Sequence, residues 1–239
     1  ENEQLNSQVA RLSEYEEEAN TLTDLLQLRN QYNLDSTAAR VIARSTDSWS
    51  STITIDKGQS SGIETGMPVT TTTGVIGQVC EAGPTTATVR LITDESSGVS
   101  AKVQSSGAQG QLQGSADGTL RLNLIRTDQQ VSPGDSVVTS GLGGVYPKGL
   151  PIGTVTNVTK SPGSMYYEVV VEPLTSVDSL SEVLVVTSLS SDQQATSDDA
   201  ASANAQDRTS STTASTQAAT TTDATTDAAT DESDATSEE

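Results

Sequence analysis

Apolar residues in the first part of the chain recur as Leu5, Leu12, Ala19 and Leu26 at one seven-residue register, with Tyr15 and Leu22 at a second register three residues on. That alternating spacing is a heptad seam and predicts an α-helix over residues 1–34. Gln8 and Arg29 also fall on seam positions, the remaining faces are rich in Glu and Gln, and no Gly or Pro interrupts the run. A helix about 50 Å long at 1.5 Å per residue cannot cover its own stripe. The spacing therefore predicts a homodimeric coiled coil along Leu5, Leu12, Tyr15, Ala19, Leu22 and Leu26. Packing of the stripe on the chain's own globular body is the alternative.

After Leu34 the period drops to two. Val41–Arg44, Ser51–Ile55, Val75–Val79 and Thr88–Ile92 are short Val/Ile/Thr-rich runs bounded by Gly, Pro, Asp and Ser. Gln109–Gln113, Leu120–Ile125, Asp135–Thr139, Ile152–Thr159, Tyr166–Val171 and Val183–Val186 follow the same logic. Many short strands with tight turns and almost no helix signal predict antiparallel barrels or sandwiches. An internal repeat sharpens this. Gly66–Thr70 precedes Val75-Ile76-Gly77-Gln78-Val79, and Gly134–Thr139 precedes Pro151-Ile152-Gly153-Thr154-Val155. Two related small β-barrels are predicted, over residues 35–94 and 95–189, with a strand near 183–187 as a candidate to close the first. Modules of this size are expected to pack on each other for stability.

Residues 190–239 contain 33 Ala, Ser or Thr and 11 Asp or Glu, with Arg208 as the single cation and no aliphatic side chain larger than Ala. Such composition cannot bury enough apolar surface to offset chain entropy, so a disordered acidic tail is expected. The fold class is therefore mainly β: an N-terminal coiled-coil helix, two small antiparallel β-barrels and the tail.

Charge and composition narrow the function. A net charge of −20 argues against nucleic acid, since phosphate binding needs clustered Lys and Arg. There is no His and one Cys, which excludes histidine triads, imidazole metal sites and an intrachain disulfide. Lys57, Lys102, Lys148 and Lys160 are preceded three residues earlier by Thr54, Val99, Val145 and Asn157, so no Ser-x-x-Lys nucleophile motif exists. Ser100 and Lys102 share one face of a strand, and a surface pair is the expected reading. Asp56, Asp94 and Asp135 sit where turns need carboxylates to accept backbone N–H groups. No catalytic, metal or cofactor residue is assigned, and no cofactor is expected. No stretch is apolar enough to span a bilayer, and the opening residues already look mid-helix, so a fragment of a longer protein is expected.

The most distinctive segment runs from Ser140 to Gly153. Lys148 is followed by Gly149, not by the Ser or Thr of a phosphate loop. Its glycines and prolines permit sharp turns and close approach, and Leu142, Val145 and Tyr146 offer apolar groups. Gly141, Leu142, Gly143, Gly144, Val145, Tyr146, Pro147, Lys148 and Gly149 are the candidate partner-contact loop, against the plainer reading of a tight inter-strand connection. Cys80 is expected as a small buried hydrophobe, and Trp49 as a packing residue.

Trp49–Gly58, Gly62-Ile63, Gly66–Val69, Leu91–Asp94 with Gly98–Ala101, and above all Thr139–Gly153 resemble the MreC family of rod shape-determining proteins. The resemblance covers residues 1 to about 187. It implies a single-pass membrane protein, anchored by a transmembrane helix just upstream of this sequence, with a dimerising helix and two extracytoplasmic barrels. It also implies a non-enzymatic scaffold of the cell-elongation complex that contacts MreD, RodA and class B penicillin-binding transpeptidases, and MreB indirectly, and that in some members forms filaments. The acidic tail lies outside the resemblance. Two other readings compete. A periplasmic adaptor of an envelope transport complex would carry a helical hairpin between two half-domains, and a two-barrel Ser-Lys hydrolase would need chemistry this sequence barely offers.

Overall fold

The computed structural model describes residues 2–45, 51–176, 180–189, 193–196 and 200. Trp49 and all but five residues of the acidic tail lie outside them. Helix α1 (Asn2–Gln31) ends because Asn33 turns left-handed at φ 49. Its N–H returns to Asn30 O and the Leu34 N–H to Arg29 O, the paired closure of a Schellman cap with Leu34 buried beneath it. Strand β1 (Asp35–Arg44) follows at once.

Twelve strands close into two six-stranded barrels in which every neighbouring pair is antiparallel. Barrel 1 runs β1, β12 (Glu182–Ser188), β3 (Pro68–Thr70), β4 (Val75–Ala82), β5 (Ala87–Leu91), β2 (Thr52–Ile55) and back to β1. Barrel 2 runs β10 (Pro151–Thr159), β11 (Tyr166–Pro173), β8 (Leu120–Arg126), β7 (Gln109–Gly114), β6 (Val99–Val103), β9 (Ser136–Thr139) and back to β10. The last described strand, β12, belongs to barrel 1, so residues 182–188 leave the second barrel and return to the first.

Each barrel is filled by the inward half of its alternating strands. In β6, Val99, Ala101 and Val103 are buried while Ser100 and Lys102 are partly exposed between them. Ile53, Ile55, Val69, Val89, Val183 and Val185 fill barrel 1 in the same way, each contributing about 1.5–3 kcal/mol of burial for its size. Closure brings backbones very near. A Cβ on Gly77 of β4 would sit 2.1 Å from Arg90 O, and one on Gly153 of β10 would sit 2.3 Å from Glu172 O. These are the two glycines of the sequence repeat. A second shared device follows: β3 and β9 both end on a fully buried threonine. Thr70 Oγ1 donates to Gly74 O at 2.9 Å, and Thr139 Oγ1 donates to Pro147 O, so each hydroxyl anchors the turn that follows.

The barrels meet at the β5–β6 link. Val75 and Ile92 from the barrel 1 side pack into the core of barrel 2. Between them and β6, buried Asp94 accepts the Ser51 N–H at 2.9 Å and the Ser96 N–H at 2.8 Å, together with the Ser96 hydroxyl. Burial works against its charged form, but those bonds and the nearby Arg90 charge outweigh it and hold the carboxyl below its ordinary range.

Candidate functional site

Helix α1 has two apolar faces with different fates. Leu25, 1% exposed, and Leu28 pack on Leu184 of β12 and on Tyr32. Higher on that flank Glu18 pairs with Arg40 of β1, whose Nε also lies 3.7 Å from Glu182 of β12. Glu18, Leu25, Leu28 and Tyr32 are spaced three, four or seven residues apart, which puts them on one side of the helix. Leu5, Leu12, Tyr15, Ala19, Leu22 and Leu26 all remain exposed, Leu12 at 67% and Tyr15 at 64%. The predicted seam therefore does not fold back onto its own barrel; another pair of leucines does that. From Leu5 to Leu26 the uncovered stripe is about 30 Å long, and Val9 adjoins it, also exposed. The heptad reading missed Leu25 and Leu28. Their signal was the Leu25-Leu26 pair, because adjacent helical residues point about 100° apart and cannot serve one seam.

The glycine-rich loop joins β9 to β10. Gly141, Gly143, Gly144 and Gly149 all take positive φ, from 67 to 89. Thr139 holds the loop's base. Its N–H donates to Leu150 O and its carbonyl accepts from Gly149 N, both at 2.9 Å, while its hydroxyl oxygen accepts the Leu150 N–H at 2.9 Å. Ser140 N–H donates to Ser100 O at 2.9 Å, fastening the loop to β6.

This wiring corrects one expectation. Tyr146, read as an apolar group offered to a partner, is 6% exposed and belongs to the core of barrel 2. Burial drives its phenol far above the usual range. Pro147 is buried too and Gly141 has no exposed surface to speak of, whereas Leu142, Val145, Lys148 and Gly149 are half-exposed and Gly143 and Gly144 form the open tip. Whatever touches this loop meets backbone and the Leu142, Val145 and Lys148 side chains.

The residues weighed for chemistry take structural positions. Asp56 Oδ1 accepts the Arg40 N–H and Asp135 Oδ2 the Ser132 N–H, each at 2.8 Å. Cys80 is half-buried, with Sγ 3.3 Å from Thr88 O. Among the described residues no three His, Cys, Asp or Glu side chains converge as metal ligands, and no helix is long and apolar enough to cross a membrane.

The family model "Rod shape-determining protein MreC, barrel core" matches residues 41–187, which span both barrels. The cell shape-determining protein MreC of Listeria monocytogenes is 35% identical over 206 residues, covering 84% of this chain and 69% of that protein. A solved MreC structure superposes with a TM-score of 0.67 at 29% identity, covering 72% of this chain and 98% of that one. A chain of a solved structure described as a complex between penicillin-binding protein PBP2 and MreC from Helicobacter pylori shares the fold, with a TM-score of 0.52 at 15% identity over 64% of this chain and 100% of that one. The chain thus belongs to the MreC family of cell shape-determining proteins.

Proposed function

We propose that this chain is a non-enzymatic scaffold of the cell-elongation complex. It sits on the extracytoplasmic side of the cell membrane, pairs with a second copy through α1, and holds peptidoglycan synthases against its barrels. The observation that carries this reading is the fate of the six seam residues: one flank of α1 is docked on barrel 1 and the other, 30 Å of apolar surface, is left for something outside the chain. A parallel copy covers such a stripe with an identical one, and repetition of such contacts is a route to filaments.

The Helicobacter relative is described in complex with a penicillin-binding protein. A class B penicillin-binding transpeptidase is accordingly the partner proposed for the barrels, with MreD, RodA and, across the membrane, MreB completing the assembly. A protein without chemistry of its own can activate a synthase by binding its active conformation more tightly than its resting one, and the shift it produces is bounded by that difference.

Light scattering on the full chain and on a Leu12→Asp, Leu26→Asp variant tests the seam. The wild type is expected at twice the chain mass and the variant at one chain mass, with unchanged β-sheet circular dichroism. A wild type that runs as a single chain at micromolar concentration would remove the basis of the proposal.

A further inference from the structure

The short segment beyond β12 does something the barrels do not require. At its start, the Lys148 N–H of the glycine loop donates to Gln193 O at 2.7 Å, and two residues later the Ala195 N–H donates to Gly141 O at 3.3 Å. Gln193 thus turns a carbonyl, and Ala195 an N–H, to the two ends of the loop. The Gln193 side chain, 7% exposed, donates from Nε2 to Tyr32 O at 2.7 Å and to Asn33 O at 2.8 Å. Those carbonyls lie at the end of α1, beyond the ones its Schellman cap closes. One residue therefore bonds the end of the helix and the loop of barrel 2 together. Gly141 fits this traffic: its φ is 79, and a Cβ there would lie 2.9 Å from Ala195 N.

We propose that residues 193–196 are an intramolecular clasp that fills the backbone slot between Gly141 and Lys148. An extended segment of a peptidoglycan synthase can then pair with that slot only by displacing the clasp. The clasp itself stands on the contacts above; the competition rests on the reading of this loop as a partner-contact surface. The Lys148 N–H is used by the clasp, and the Gly141 carbonyl is shared between Ala195 and the loop's own Gly144 N–H, each at 3.3 Å, so a second segment that needs the same two groups competes with the clasp for them. Gln193-Gln194-Ala195-Thr196 carries no charge, although Asp192, Asp198 and Asp199 flank it in sequence. Among the described residues of the tail, this uncharged step is the part that meets the loop.

The test uses the full 239-residue chain and a Gln193→Ala, Ala195→Pro variant, which loses the side-chain bonds to α1 and the N–H that reaches Gly141. Amide hydrogen exchange at Lys148 is expected to speed up at least tenfold in the variant, while amides of the β10–β11 ladder keep their rates and report an intact barrel. Equal exchange at Lys148 overturns the clasp. In the second arm, the extracytoplasmic domain of a class B penicillin-binding transpeptidase is titrated against both chains. Binding at least threefold tighter to the variant supports competition, and equal or weaker binding overturns it. If neither chain binds the transpeptidase, the scaffold reading fails and the competition falls with it, but the Lys148 rate still decides whether the clasp exists.

Discussion

Read from β6, barrel 2 runs β6, β7, β8, then β11, β10, β9 and back to β6. Barrel 1 has the same cyclic arrangement once reading starts at β12: β12, β1, β2, then β5, β4, β3 and back to β12. The two barrels share one topology, and barrel 1 is its circular permutation. Its first strand is made last, after the whole of barrel 2 has been inserted between β5 and β12. Two consequences follow. Barrel 2 is built from one continuous stretch and can close as soon as that stretch exists. Barrel 1 waits for a strand from the far end of the chain, a long loop closure of the kind that slows folding. The equivalent connections also differ in length: Thr71–Gly74 turns tightly from β3 to β4, while Ser140–Leu150 spans the same place between β9 and β10. The framework is common to both barrels, and the difference between them is concentrated in this loop.

The most forceful way to break the comparison is to charge the strand that barrel 1 borrows. Val185→Asp buries an unpaired carboxylate in its core and should cost about 4 kcal/mol or more. Hydrogen exchange should show barrel 1 amides losing protection while those of β7, β8 and β11 keep theirs. If both barrels open together, they are one cooperative unit and the separation drawn above is wrong. A milder and more discriminating pair is Gly77→Ala and Gly153→Ala. Each puts a methyl onto a carbonyl across the ladder, and each should cost about 1–3 kcal/mol. Denaturant midpoints that move equally support true equivalence of the positions; an effect in one barrel alone would mean the repeat is only a likeness of letters.

Smallest is the effect at the joint. Because Asp94 titrates below its ordinary value when folded, the unfolded chain binds more protons between the two values, and stability rises with pH across that interval. Its contribution is complete above the unfolded value near 3.8 and is lost as pH falls through the folded one. Asp94→Asn should cost about 1 kcal/mol at neutral pH, and the gap between variant and wild type should close in acid. A gap that persists unchanged to pH 2 would show that the carboxylate charge is not what holds the joint.

How much of this was legible beforehand depended on whether a residue's surroundings are local. Ile53, Ile55, Val79 and Val89 alternate with polar neighbours, and their strands could be read from that alone. The start of β1 could not: Asp35–Arg40 is too polar to read as a strand, and it becomes one because β12 lies beside it. β6 was readable only as a face shared by Ser100 and Lys102. The exposed seam of α1 followed from heptad spacing, whereas Leu25 and Leu28 needed knowledge that Leu184 was waiting for them. Tyr146 sits in a segment with no period, so only the fold-back held by Thr139 decides that its ring goes inward. Gln193, within a tail of repetitive composition, offered no signal at all.

One detail of barrel 1 bears on how the molecule would respond to being pulled. Asp35, where α1 hands over to β1, is paired with Ser188, the last residue of β12. Traction between the helix and the tail therefore loads that ladder from its end and would peel its hydrogen bonds one after another, the weakest direction in which a sheet can be opened. Gln193 lies just ahead of that point and ties the tail to the helix, so it would take the strain before the zipper starts.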